Sequence, residues 1–254
     1  MKVVIIDTET TGLAAPQAVE IAIITLPDDL QTFREVDLGK ILENHQSTDH
    51  FEGVFERRYR PTKAIDPRAS AVTGIYMKDV IHCPSIKTFE FPSSIEFIIA
   101  HNAVFDWGVL NKPDVKRICT KELSQLVFAG QKGLKNNKAT TVTEFLFPEQ
   151  GKEFTANAHG ALADCKLVFY ILHKVLERLP QVKTWEDLAK LCSQGEKGKS
   201  YEELDKPATI LTSLPFGKHK GVPISEVPRD YLQWLSTQPN LSPSIHLTIK
   251  SLAT

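Results

Sequence analysis

The chain has 254 residues, 42% of them hydrophobic, enough to bury the core of one large domain or of one domain with a small appendage. Its 30 basic and 31 acidic side chains leave a formal net charge of -1, so there is no global attraction to a polyanion and any such contact must come from local patches. Cys83, Cys119, Cys165 and Cys192 are far apart and form no Cys-x-x-Cys pair, which argues against a zinc site or a disulfide framework and fits reduced core cysteines.

The amino terminus carries one lysine and an apolar run too short for a signal-peptide core, and no stretch approaches a membrane span. A cytoplasmic protein with no membrane partner is expected. Val3 to Ile6 is an unbroken, β-branched apolar run and reads as a buried strand ending at Thr10-Thr11-Gly12. Val19 to Leu26 is again β-rich, and Gly12 to Pro16 makes a plausible turn, so the two predict an antiparallel hairpin. Side chains two apart share a strand face, which allows Asp7 and Glu9 to point the same way.

Residues 27–56 are polar and weakly patterned and read as a surface insertion with one short helix. Ile95 to Ala100 predicts another buried strand, delivering His101 and Asn102, and Phe105 to Leu110 has the spacing of a helix start with Asp106 inside it. Ala158 to Leu179 is the clearest helix: Ala161, Leu162, Cys165, Val168, Phe169, Leu172, Val175, Leu176 and Leu179 recur at three- and four-residue spacing before Pro180. Trp185 to Cys192 predicts one more short helix. The polar, glycine-bearing stretch Gln194 to Ser200 then reads as a linker to a compact carboxy-terminal segment. This order of elements describes an α/β domain.

Carboxylates set against apolar structure are costly unless a cation or a proton satisfies them. Asp7, Glu9, Asp106 and Asp164 occur in three such settings, which points to a shared metal site. Two divalent ions about 3.5 to 4 Å apart can clamp the attacking and leaving oxygens of a phosphodiester. Oxygen-only ligation favours Mg²⁺ or Mn²⁺ over zinc. His159 is the candidate general base, placed in the loop before the long helix, because five residues of helix would turn it away from Asp164. Gly160 would let that loop move.

Three motifs, DTETTGL at Asp7 to Leu13, HNAVFD at His101 to Asp106 and HGALAD at His159 to Asp164, resemble those of the DEDDh exonucleases of the ribonuclease H-like fold. The resemblance covers roughly residues 1 to 180. Weaker support comes from Tyr59-Arg60-Pro61 through Thr73-Gly74-Ile75 and from Ile118-Cys119-Thr120. Phe216 to Gly221, followed by Tyr231-Leu232-Gln233-Trp234-Leu235, resembles the tail of exonuclease X-type members.

The resemblance implies a mixed sheet flanked by helices over residues 1–185, a helix and linker at 186–208, and a small α+β module at 209–254. It implies release of nucleoside 5′-monophosphates from the 3′ end of DNA, with single strands favoured. Asp7, Glu9, Asp106 and Asp164 would be the ligands of two ions and His159 the base, with Thr8, Thr10, Leu13 and Asn102 near the terminal nucleotide. The chain departs from the pattern at Gly160, where a larger, often polar residue is usual, at Cys165, which replaces a common alanine, and in the length of 26–55.

Alternative readings are an exoribonuclease of the ribonuclease T or oligoribonuclease type and a non-catalytic nucleic-acid binding protein. Lys218-His219-Lys220 with Tyr231 and Trp234 could grip phosphate and stack a base, while a core-anchoring Trp234 is the favoured reading of that residue. Leu13 as a wedge against a base competes with plain packing. His45, His50, His82, His173 and His246 read as ordinary surface or packing residues.

Overall fold

A computed structural model describes residues 2–43, 53–156, 158–195, 211–236, 245, 248–249 and 251–252. It divides into two compact units, Met1–Gly195 and Glu196–Thr254. Residues 196–208 of the expected helix and linker and residues 44–52 of the expected insertion lie outside the described residues.

In the first unit the apolar run at the amino terminus forms β1 (Lys2–Thr10), which turns back as β2 (Ala18–Leu26). The two strands pair antiparallel from Val3 opposite Leu26 to Thr10 opposite Ala18, with an irregularity between Glu9 and Thr10. Two short helices follow, α1 (Leu30–Glu35) and α2 (Leu38–Glu43), then β3 (Val54–Arg58) on the outer edge of β2. After α3 (Pro67–Thr73) and α4 (Met77–Val80), β4 (Ile95–Ala100) joins β1 in parallel. Next come α5 (Ala103–Val109), the outer parallel strand β5 (Lys116–Cys119), α6 (Thr120–Phe128), α7 (Ala139–Leu146), α8 (Gly151–Thr155), α9 (Ala161–Glu177) and α10 (Trp185–Gly195). The sheet is mixed and five-stranded, in the order β3-β2-β1-β4-β5.

Burial on both faces of the central strands explains their unbroken apolar text: Val3 to Ile6 and Val19 and Ile21 to Ile24 are fully buried. α9 lies across β1, β2 and β4, with its stripe of Cys165, Val168, Phe169, Leu172, Val175 and Leu176 against the sheet. α10 packs on β5 and α6 at the end of the first unit.

The segment after β2 is no surface insertion with a single helix. Leu30 and Phe33 of α1 are buried, and the Phe33 ring meets Phe169 of α9 at 5.3 Å and Trp185 of α10 at 5.2 Å. Arg34 donates to the carbonyls of Leu176 and Leu179 at 2.8 Å and of Val182 at 3.0 Å, satisfying acceptors left open where α9 ends. The apolar spacing of α1 is too short to stand out from its polar surroundings, which is why its role in the core was illegible.

In the second unit, Leu214, Ile224, Val227, Leu232, Leu235 and Ile245 form a small core. Its described helix, α11, spans Arg229–Ser236. Trp234 is not the anchor of that core: it is 53% exposed, on the face of α11 opposite Leu232 and Leu235. No helix among the described residues is long and apolar enough to cross a membrane.

Candidate active site

β1 outruns its parallel neighbour. The β1–β4 ladder stops at Ile5 opposite Ile99, so the end of β1 from Asp7 onward has lost its partner on that side. An orphaned strand amide needs another acceptor, and Asp106 on α5 supplies it. Asp106 Oδ1 accepts from the Thr8 amide at 3.0 Å and from the Thr8 hydroxyl at 2.8 Å. Thr8 therefore spends its polar groups on holding a buried carboxylate.

On the other face of β1, Asp7 and Glu9 project towards the start of α9. Oxygens of Asp7, Glu9 and Asp164 all lie within 4.8 Å of one another. Asp106 stands outside that trio but interacts electrostatically with Asp7. Burial, then repulsion from Asp106, Asp164 and Glu9, pushes the Asp7 carboxyl well above the usual carboxylate range. Burial, then repulsion from Asp164, Glu20 and Asp106, raises Glu9 to about 8, burial raises Asp106 to about 7 against the pull of Thr8, and burial raises Asp164. A group of acids each displaced towards its neutral form by burial, and for Asp7, Glu9 and Asp106 also by neighbouring acids, is what a divalent cation would relieve, and the all-oxygen donor set fits Mg²⁺ or Mn²⁺.

His159 lies in the loop before α9, as its spacing from Asp164 predicts, with its side chain exposed and its amide 3.4 Å from Asp164 Oδ1. Its φ of 78° is left-handed, a costly conformation for a non-glycine residue and one that clusters at functional positions. Gly160, expected to supply the freedom, is instead extended at φ -121° and caps the helix. The strain sits on the histidine because the chain must turn sharply there to enter α9.

A fifth acid, missed at the sequence level, sets this turn. Glu20 on β2 is directly opposite Glu9 and is 5% exposed. One of its oxygens accepts from Arg58 Nε at 2.8 Å and the other from the Ala161 amide at 3.0 Å. Because Arg58 neutralises it, Glu20 can sit beside the cluster and still fasten the first turn of α9. The pattern Glu-Ile-Ala inside an apolar strand carried the only available signal, a charge where a buried strand should have none.

Thr8, Glu9, Thr10 and Leu13 line one cleft of about 550 Å³ with Gly12, Asp66, Val72 and Phe105. Leu13 is 87% exposed at its mouth, so packing does not explain it. Gly12 has φ 133°, and a Cβ there would come within 3.1 Å of Asp66 Cβ, so only glycine lets the β1–β2 turn lie against the start of α3. Asn102 is exposed at the start of α5, with left-handed φ of 91°, and does not line this cleft. His101 is structural: its ring bridges the Thr120 hydroxyl at 3.0 Å and the Asn137 carbonyl at 2.7 Å. Burial lowers its pKa to about 4, so the neutral ring donates from Nε2 to the carbonyl and accepts from the hydroxyl at Nδ1. Cys165 is buried behind the carboxylates, its thiol donating to the Ala22 carbonyl at 3.5 Å.

The family described as "Exonuclease" matches residues 4–172, and one described as "Putative quorum-sensing-regulated virulence factor" matches residues 204–244. Exodeoxyribonuclease 10 of Escherichia coli (strain K12) is 28% identical over 251 residues, 97% of this chain and 96% of that protein. Exonuclease X in complex with 5′ overhanging duplex DNA is similar in fold, with a TM-score of 0.53 and 24% identity over 75% of this chain and 99% of that one. E. coli exonuclease I in complex with a dA16 oligonucleotide is also similar in fold, at a TM-score of 0.51 and 16% identity over 71% of this chain and 42% of that one. With the mixed sheet of ribonuclease H-like proteins and an acidic cluster at the end of its first strand, the chain belongs to the exonuclease family, as a 3′–5′ exonuclease of the DEDDh type.

Proposed function

We propose that this enzyme removes nucleotides from the 3′ end of DNA, releasing nucleoside 5′-monophosphates with the help of two Mg²⁺ or Mn²⁺ ions. The observation that carries the reading is the convergence of Asp7, Glu9 and Asp164 oxygens within 4.8 Å, with Asp106 fastened beside them by Thr8. DNA is favoured over RNA because the relative aligned along 97% of the chain is named an exodeoxyribonuclease.

In this reading Asp7, Glu9, Asp106 and Asp164 hold the ions. Bound ions supply an activated water and charge stabilisation at the scissile phosphate. His159 takes the proton of the attacking water at its exposed ring, and Glu20 keeps the backbone beneath it in place. Thr10 and Leu13 border the cleft for the terminal nucleotide, with Leu13 against its base and Thr8 serving through Asp106. Asn102, exposed at the start of α5, is a further nucleotide contact. Residues 1–185 carry catalysis, 186–208 connect, and 209–254 form an accessory module. Cytoplasmic location is supported by four free cysteines, which suit a reducing compartment.

End-labelled single-stranded DNA, duplex DNA and RNA, each incubated with purified protein with and without Mg²⁺, test the reading. Mononucleotide release from DNA that requires the ion and disappears in Asp7→Ala is the expected result. Faster release from RNA would transfer the substrate assignment to RNA, and activity that survives in Asp7→Ala would remove the carboxylates from the mechanism.

A further inference from the structure

The carboxy-terminal unit presents aromatic surface that the carboxylate cluster does not use. Trp234 is 53% exposed and Phe216 is 41% exposed, in a unit whose described core has only six buried residues. A tryptophan left half-exposed on so small a core is apolar surface of the kind that marks a binding site.

The surface around it is built. Tyr231, three residues before Trp234 on α11, is half-buried, and its ring lies 5.3 Å from the Trp234 ring. On its other side the His219 ring meets Tyr231 at 4.6 Å, edge to face. Gly217 is left-handed at φ 75°, and a Cβ there would come within 2.7 Å of the Tyr231 hydroxyl, so the 216–221 turn lies directly against the helix. The Leu214 amide donates to the Val222 carbonyl at 3.1 Å and the Gly221 amide to the Leu214 carbonyl at 2.7 Å, which hold the turn closed. Lys218 and Lys220 stand exposed on either side of His219, and residues 216–221 contain no acid. A row of rings with two ammonium groups beside it matches a chain of bases joined by phosphates: rings stack on bases and lysines pair with the backbone.

We propose that Trp234, Tyr231, Lys218 and Lys220 form a second contact site for single-stranded nucleic acid, with a base stacked on Trp234 and adjoining phosphates on the two lysines. The site deepens the exonuclease reading and takes its substrate class from it. Tyr231 and His219 stiffen the stacking face. Stacking on an aromatic face discriminates poorly between bases and between sugars, so the site holds a strand without choosing its sequence.

Fluorescence anisotropy of a labelled oligothymidylate against the full chain, in EDTA so that nothing is cleaved, tests it. Trp234→Ala should weaken binding by about 5- to 150-fold, the loss expected for one stacked base. The pair Lys218→Gln with Lys220→Gln should lower the salt slope of binding by about 1.4, and a matched oligouridylate should behave alike. Thermal melts establish that both variants fold. Wild-type affinity and wild-type salt slope in both variants overturn the proposal. So does a change of sedimentation in Trp234→Ala with DNA affinity intact, which would assign the face to a second copy of this chain. Hydrolysis of the p-nitrophenyl ester of thymidine 5′-monophosphate by the wild type reports on the carboxylate site alone. Its absence would sink the exonuclease reading while the anisotropy still decides the surface.

Discussion

Thr8 gives both its amide and its hydroxyl to a single oxygen of Asp106, at 3.0 and 2.8 Å, across 98 residues of sequence. The pair fastens the free end of β1 to α5 and fixes a buried carboxylate next to the acidic trio. Thr8→Val keeps the volume and removes the hydroxyl. A hydrogen bond to a charged group is worth about 1.5 to 3 kcal/mol, so denaturant unfolding should show a loss of that order. The Mg²⁺ concentration needed for half-maximal activity should rise with it.

Replacing one carboxylate should separate stability from activity. Asp7 is crowded by Asp106, Asp164 and Glu9, so Asp7→Asn in EDTA should melt at a higher temperature than the wild type. Its exonuclease rate should fall by at least about a thousandfold, since several kcal/mol of charge stabilisation are lost. A lower melting temperature in EDTA would show that the cluster is not under repulsion.

Burial, with repulsion behind it, sets the pH dependence. Glu9 at about 8 and Asp106 at about 7 stand above their ordinary values of 4.5 and 3.8. Groups raised in the folded state support it fully at low pH and withdraw that support as pH rises through their folded values. Without ions the fold should therefore lose stability between about pH 4 and pH 8, and the rise in melting temperature on adding Mg²⁺ should grow over that interval. Melts with Mg²⁺ and with EDTA across it measure both trends.

His159 is exposed, so His159→Asn should leave the melting temperature within the small range of surface substitutions. Loss of a general base should cut kcat by about 10²- to 10⁴-fold. Single-turnover rates beside thermal melts read both.

Glu20→Ala should strand the Ala161 amide and release the turn that carries His159. The structural cost is about 1 to 3 kcal/mol. Because the effect passes through position rather than chemistry, kcat should fall more than KM rises, and Glu20→Gln, which keeps an acceptor for the amide, should recover much of the rate. Equal losses in the two variants would assign Glu20 to charge rather than placement.

The sequence by itself determined the parts whose cause is local. The apolar runs of β1, β2 and β4 and the stripe of α9 are legible because burial on one stripe or on both strand faces dictates their composition. The four acids stood out because charges interrupt those runs, and His159 stood out through the motif that it opens, His159 to Asp164. The edge strands β3, Val-Phe-Glu-Arg-Arg, and β5, Lys-Arg-Ile-Cys, escaped because short charged edges resemble loops. Only the tertiary structure decided what depends on register and reach. The point where β4 stops supporting β1 makes Thr8 a partner of Asp106, the pairing of β1, β2 and β3 sets Glu9, Glu20 and Arg58 in one row, and the packing of α11 leaves Trp234 in water. These relationships join residues far apart in the chain, and no local pattern encodes a distance between segments that meet only after folding.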